Sequence, residues 1–523
     1  MDHKANNPSS SNCNYFQGVL DYINQMLMED DDLENGSFVY PDLLALQAAE
    51  KSLGDVLNAE ESSGNDGGRR FPDRPREKRH RCGEDINGVE AGRRRRCNNN
   101  NVARDEEQVQ IEMYNGIKGL CYCRELDASA KRVVQPRVTA RRGRPRAGER
   151  GGNGKGEVDF AGLLNLCAQA VGGEDFRTVN ELLGRIRRHC SPHGGAAERL
   201  SHYFAKALDA RLAGTGAALY TANRASLADT LKAYQMYFTA CPFKKLSNMF
   251  ADKSIGKLTM EATKIHIIDF GISHGFQWPC LIQGLSRRPG GPPALRITGI
   301  DLNAEATGRH LSYYSNKFNV PFQYTAVTKK WETICSEDVR IERDEVLVVN
   351  CLYRLQDVPD EIASEESPRD TVLNFIKQLN PQVFMHGVVS ASYNALVFST
   401  RFREAIFHFS SLFDMLEGTV GGGDEGRMVY EREILGREIM NVVACEGAER
   451  MKRPETYKQW QERIQRAGFE QMLPDGDIMR QVRAKVMDYS NDFFVEEDGK
   501  WMLQGWKGRV IYATSSWKPV INH

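Results

Sequence analysis

Ile265-His266-Ile267-Ile268-Asp269-Phe270-Gly271-Ile272-Ser273-His274-Gly275 is an apolar run that ends in an acid and two glycines. The apolar part is short and continuous, the pattern of a strand buried on both faces. Glycine has no Cβ, so Gly271 and Gly275 allow a sharp turn and leave room for a ligand at a helix N-terminus. Asp301 closes the next apolar run, 26 residues after Gly275. An acid there can hold a ribose in a nucleotide-binding sheet. The spacing is nearer to an S-adenosylmethionine site than to Gly-x-Gly-x-x-Gly. The competing reading is that the glycines only make a tight strand–helix turn. Ile272-Ser273-His274 puts bulk where cofactor enzymes keep small residues, which favours the turn. No bound cofactor and no metal are expected.

Outward from this stretch, apolar runs alternate with helical periodicity. Further strands are expected at Leu295-Arg296-Ile297-Thr298-Gly299-Ile300, Val346-Leu347-Val348-Val349-Asn350, Val383-Phe384-Met385-His386-Gly387-Val388-Val389 and Asn441-Val442-Val443-Ala444-Cys445. Helices fit at 371–379, 401–416 and 457–468, and a helix with Leu281, Ile282 and Leu285 follows the glycine turn. The pattern predicts an α/β fold, a Rossmann-type, mostly parallel sheet covered on both faces. Val510-Ile511-Tyr512-Ala513 and the segment around Trp501 read as late antiparallel strands. Before the sheet, about 158–260 reads as a helical cap, with an α/β core over about 261–521. Its helix faces carry Leu163, Leu166, Cys167 and Ala170; Val179, Leu182, Leu183 and Ile186; Leu200, Phe204, Ala207 and Leu208; and Leu227, Leu231, Tyr234 and Phe238.

Charge divides the 523 residues further. Residues 1–60 hold 11 acidic and 2 basic side chains, net −9, and 61–156 hold 23 basic and 14 acidic, net +9. With a total of −1, the remainder 157–523 carries −1. No apolar run reaches the roughly 20 residues of a spanning helix, so no membrane association is expected. In 1–60, leucines and methionines such as Leu27, Leu43 and Leu46 are mixed with acids. Such pieces are too short to fold alone and suit folding onto a partner, as in transcriptional activation segments. The polar start carries no secretory signal pattern. The middle stretch reads as a disordered basic linker. Within it, Arg141-Arg142-Gly143-Arg144-Pro145-Arg146 has two readings. Arginines flanking Gly-Arg-Pro match an AT-hook strip for the minor groove, and the same run suits a nuclear import signal.

Several residues invite chemistry and have plainer alternatives. His189-Cys190-Ser191-Pro192-His193 lacks a second ligand pair and reads as a helix end. Tyr353 and Arg354 follow a strand, where active-site residues often sit, and read as loop packing and ion pairing. Trp501, Trp506 and Trp517 read as core rather than a partner hot spot.

Taken together these motifs resemble plant GRAS-family transcriptional regulators of the scarecrow-like type, which carry long acidic N-terminal regions. Ile265, His266, Ile267, Ile268 and Asp269 look like the VHIID motif, with Ile for the usual first Val. Pro381, Phe398, Arg403 and Glu404 fall in a PFYRE-like segment. Trp501, Trp506, Gly508, Arg509, Ser515 and Trp517 look like the SAW region. One departure is the short connection after Leu302, where Asn303-Ala304 leads almost directly to Glu305-Ala306-Thr307-Gly308-Arg309. The resemblance implies a methyltransferase-like core without catalysis. It also implies nuclear transcriptional regulation through other transcription factors and coactivators or by direct DNA contact, and homo- or heterodimers formed by the GRAS domain. The runner-up reading is an S-adenosylmethionine-dependent methyltransferase or a small-molecule-binding module on the same fold.

Overall fold

The computed structural model describes residues 158–222, 226–302, 304–361 and 367–520. The acidic pieces of 1–60, the basic stretch 61–156 with Arg141, Arg142, Arg144 and Arg146, and Asn303 lie outside the described residues.

Six helices precede the first strand among the described residues: α1 (Phe160–Gly172), α2 (Phe176–Arg187), α3 (Ala196–Leu212), α4 (Gly216–Thr221), α5 (Leu227–Ala240) and α6 (Phe243–Leu258). Side chains mark several starts. Asp159 accepts from the Gly162 N–H at 2.8 Å and Asp175 from the Thr178 N–H at 3.1 Å, filling donors that a helix N-terminus leaves open. The expected apolar stripes of α2 and α3 are buried. On α1 the stripe is rotated: Leu163 and Cys167 are buried with Leu164 and Ala168, whereas Leu166 is 52% exposed.

The sheet follows: β1 (Lys264–Phe270), α7 (Trp278–Ser286), β2 (Ala294–Ile300), α8 (Ala304–Lys317), β3 (Phe322–Val327), β4 (Val346–Leu352), α9 (Pro368–Gln378) and β5 (Val383–Val389). Then come α10 (Phe398–Thr419), α11 (Glu425–Tyr430), α12 (Gly436–Ala444), α13 (Tyr457–Arg466), β6 (Phe469–Gln471), α14 (Gly476–Val486), β7 (Phe493–Asp498), β8 (Trp501–Trp506) and β9 (Arg509–Pro519). One sheet has the order β3-β2-β1-β4-β5-β9-β8-β7, with β6 paired to β9. The first five strands are parallel, and β9, β8, β7 and β6 are added antiparallel. The parallel half, 3-2-1-4-5, is the Rossmann-type order. The fold is the Rossmann-type, mostly parallel α/β arrangement with preceding helices expected from the sequence.

Alternate strand residues enter two cores. Ile265 and Ile267 belong to the core that takes in residues of α1–α3, α6–α8 and α10, and Ile268 and Phe270 to the one that takes in α9 and α13. The two late strands form a hairpin through Lys507 and Gly508, both left-handed at φ 47° and 80°. Two such residues in succession match the type I′ turn that suits strand twist.

Asn441-Val442-Val443-Ala444-Cys445 is not a strand. It ends helix α12, and its apolar residues bury the face that meets α3. A five-residue apolar run fits a buried helix as well as a strand, and here the preceding Ile439 and Met440 extend the buried face. Strand β3 was not expected, because its exposure alternates: Phe322, Tyr324 and Ala326 pack on one core, Gln323 and Thr325 are exposed, and Val327 alone enters the other core.

A polar node joins the helices before β1 to the sheet. Gln504 Nε2 on β8 donates to Ser247 Oγ of α6 at 2.6 Å, Thr514 Oγ1 on β9 lies at 3.1 Å, and the Tyr353 hydroxyl completes the group. All four residues are buried.

Candidate functional site

The carboxyl ends of β1 and β2 bring Asp269, Gly271, Gly275 and Asp301 to one edge of the sheet, where open α/β sheets take ligands. Asp269 pairs in register with Asn350 of β4. Its Oδ1 accepts from Asn350 Nδ2 at 2.9 Å and its Oδ2 from Trp278 Nε1 at 2.8 Å. Gln277 extends this network, its Oε1 accepting from Asn350 Nδ2 at 3.2 Å and its Nε2 donating to Asp252 of α6 at 3.0 Å. Burial pushes the Asp269 carboxyl up to about 7, against the two hydrogen bonds that favour its charged form. Sealed behind the strand end, Asp269 shapes the turn rather than facing a ligand.

The turn itself is filled by the chain's own groups. Gly271 has φ 87°, and a Cβ there would lie 2.6 Å from Arg354 Cγ. Arg354, at the end of β4, thus lies across the glycine. Its guanidinium pairs with Asp357 at 2.8 Å and with Asp301 at 3.7 Å. Asp301 uses both oxygens internally: Oδ2 accepts from the Ser273 N–H at 3.1 Å and Oδ1 from the Leu302 N–H at 2.7 Å. The Thr307 hydroxyl donates to the Ser273 carbonyl, tying the start of α8 to the turn. Over β2, the Ile272 methyl and the Tyr324 hydroxyl crowd the space beside Gly299. Tyr324 in turn donates to the Ala304 carbonyl at 2.7 Å. His274 stands between the rings of Tyr234 and Phe276, and burial lowers its pKa.

S-adenosylmethionine in the usual pose needs open space over the glycine turn and a carboxylate free to take a ribose diol. Arg354 lies across Gly271, Ile272 and Tyr324 crowd Gly299, and each Asp301 oxygen already accepts a backbone N–H, with Arg354 beside it. The residues present do not fit the cofactor. Among the described residues no group of three or more His, Cys, Asp or Glu is placed to hold a metal.

Residues 160–518 match the model of the GRAS domain family. The chain belongs to the GRAS domain family. It is 52% identical over 379 residues to Scarecrow-like protein 14 of Arabidopsis thaliana, covering 70% of this chain and 49% of that protein. It is 42% identical to Scarecrow-like protein 30 of the same plant, covering 98% of this chain and 92% of that protein. The chain therefore spans about half of the first relative's length and nearly all of the second's. The crystal structure of SCL7 from Oryza sativa superposes with a TM-score of 0.61 at 28% identity, covering 69% of this chain and all of that one.

Within this GRAS domain the motif residues occupy several places. Of the VHIID-like set, Ile265, Ile267 and Ile268 are core, and His266 Nε2 meets the Thr298 hydroxyl at 2.8 Å inside the sheet. Pro381 is buried just before β5. Phe398 opens α10 with the Arg211 guanidinium 3.9 Å over its ring. Arg403 and Glu404 pair with each other at 3.7 Å on the same helix. Trp501, Trp506 and Trp517 are core, with their N–H groups donating to Gln461, Asp414 and Ser515 at 3.0, 2.7 and 2.7 Å. Gly508 makes the hairpin turn, and Arg509 caps the Phe407 ring at 3.4 Å. None of the PFYRE-like or SAW-like residues joins the glycine turn through these contacts. The sequence reading did not find Asn350 and Trp278, the partners of Asp269, or Gln277, which joins them through Asn350. An amide ending a buried strand, as Asn350 does, was the available signal.

Proposed function

We propose that this chain regulates transcription in the nucleus as a non-catalytic protein platform that works through other transcription factors and coactivators. The observation that carries the reading is the glycine turn closed by Arg354 and Asp301, at the place where an enzyme of this fold would bind its cofactor. Membership of a family whose Scarecrow-like members are regulators supports it. So does the charge plan: an acidic, leucine-bearing 1–60 suited to coactivator grooves and arginines at 141–146 suited to import and to weak phosphate contact. Dimerisation through the GRAS domain belongs to the same proposal.

The test fuses the full chain to an unrelated DNA-binding domain and reads a reporter gene. Replacing Leu27, Leu43 and Leu46 with Ala should lower the signal while leaving charge unchanged. Changing Arg141, Arg142, Arg144 and Arg146 to Ala should reduce nuclear accumulation. Saturable micromolar binding of S-adenosylmethionine, lost in Asp301→Ala, would overturn the platform reading.

A further inference from the structure

Three buried arginine clusters differ in their charge balance. Arg199 and Arg427 face Glu417 and Glu431, two against two. Arg369 and Arg463 face Glu361, Asp370 and Glu455, two against three. The third gathers Arg211, Arg401, Arg450 and Arg453 around Glu446 and Asp360, four against two. Asp360 also acts on Arg369, whose Nη2 donates to the Arg453 carbonyl at 2.7 Å, so the second and third clusters are continuous and together set six arginines against five acids.

The donors of this third cluster are unevenly used. Arg401 Nε donates to the Val442 carbonyl at 3.1 Å, its Nη1 to Ala395 and Leu396, and its Nη2 pairs with Glu446. Arg453 Nε donates to the Arg450 carbonyl at 3.2 Å, its Nη2 to Gly447, and its Nη1 lies 3.3 Å from Asp360. Arg450 is different. It is 4% exposed, and its Nε and Nη1 have no hydrogen-bond partner among the described residues. Burial, then repulsion from Arg401 and Arg453, lowers its pKa to about 10. An unpaired guanidinium inside a protein is strongly unfavourable unless an anion meets it. Asp360 lies beyond the end of β4, and Ala395 and Leu396 beyond the end of β5. Arg211 lies in α3 and Arg401 in α10, so helix ends and connections from the carboxyl edge of the sheet meet at this cluster.

We propose that Arg450, flanked by Arg401 and Arg453, binds a small dianion of the phosphate class, either orthophosphate or the phosphate of a monoester. The excess of positive charge around Arg450 draws an anion. Open guanidinium donors suit phosphate oxygens through charge-assisted hydrogen bonds.

The test uses the full chain and inorganic phosphate. Thermal unfolding is followed by tryptophan fluorescence at pH 7.5, with phosphate replacing chloride at constant ionic strength. The wild-type midpoint should rise saturably with phosphate. Arg450→Met should lose that response, and its midpoint in chloride should not fall below wild type, because the variant removes an unpaired charge. Arg450→Lys should bind at least about tenfold more weakly. In parallel, wild type should broaden the phosphorus resonance of inorganic phosphate. Displacement by phenyl phosphate at a lower concentration assigns the site to a monoester, and the reverse order to orthophosphate. An equal response in Arg450→Met, no saturable response, or a response to malonate matching that to phosphate overturns the proposal. If Arg450→Met fails to fold, the lysine variant and the resonance measurement decide it.

Discussion

Replacing Ser247 with Ala should loosen the joint between helix α6 and the sheet. Gln504, Tyr353 and Thr514 converge on the Ser247 hydroxyl, which has two lone pairs and one proton. Three neighbours exceed two lone pairs, so one hydroxyl contact must run outward from Ser247. Removing the oxygen lets Tyr353 and Thr514 turn toward each other. Gln504 is left with the Tyr353 hydroxyl alone, and its Oε1 already lacks a partner in a fully buried residue. A stranded buried amide costs about 1–3 kcal/mol, and a lost hydroxyl contact adds about 1 kcal/mol. The expected destabilisation is therefore roughly 2–3 kcal/mol. Urea unfolding of the full chain, read by the fluorescence of buried tryptophans such as Trp506, measures it. Gln504→Leu removes the stranded group, so the double variant should be more stable than the sum of the single effects by at least about 1 kcal/mol. A Ser247→Ala change below about 0.5 kcal/mol, or strict additivity in the double variant, would refute the node as a tie between the two parts.

Further outcomes follow from other buried groups. His386 is fully buried with neither ring nitrogen hydrogen-bonded, and burial lowers its pKa to about 3. The unfolded chain takes up the proton first as pH falls below about 6.5, so His386 withdraws stability on acidification. His386→Phe should recover about 2 kcal/mol at pH 5 relative to its effect at pH 7.5, measured from urea midpoints. Asp269 acts in the opposite sense: with its pKa raised to about 7, the folded chain keeps a proton that the unfolded chain releases near 4. Stability should fall as pH rises from about 4 to 7, and Asp269→Asn should flatten that slope by roughly 3 kcal/mol over the window. Gly271→Ala should cost about 2 kcal/mol, part from its left-handed backbone and part from Arg354; adding Arg354→Ala should return only the share owed to Arg354 atoms beyond Cβ in a melting experiment, because the Arg354 Cβ itself would lie 2.8 Å from the new methyl.

The parallel strands were legible because burial on both faces leaves continuous apolar runs, as in Ile265–Ile268 and Val346–Val349. β3 was hidden because one of its faces is partly exposed, and Val442-Val443 misled because a short buried helix end and a strand share that pattern. The glycine turn with Asp301 could be read from strand-end spacing. Its plug could not: Arg354 crosses Gly271 only because β4 lies beside β1, and Asn350 reaches Asp269 only in that register. The excess of arginine around Arg450 depends likewise on segments near 211, 360, 401 and 450 meeting in space.

Strand β9 also sets a timetable for synthesis. It stands between β5 and β8, and β6 leans on its far end. Ribosomes add about 5–20 residues per second, so the roughly 120 residues from Val389 to Arg509 take on the order of 6–24 s to emerge. Throughout that interval the edge of β5 that β9 covers stays open on a nascent chain, ready to pair with any passing strand. A messenger cut short before Arg509 therefore yields a sheet with a permanently raw edge, a product for the cell's chaperones and proteases.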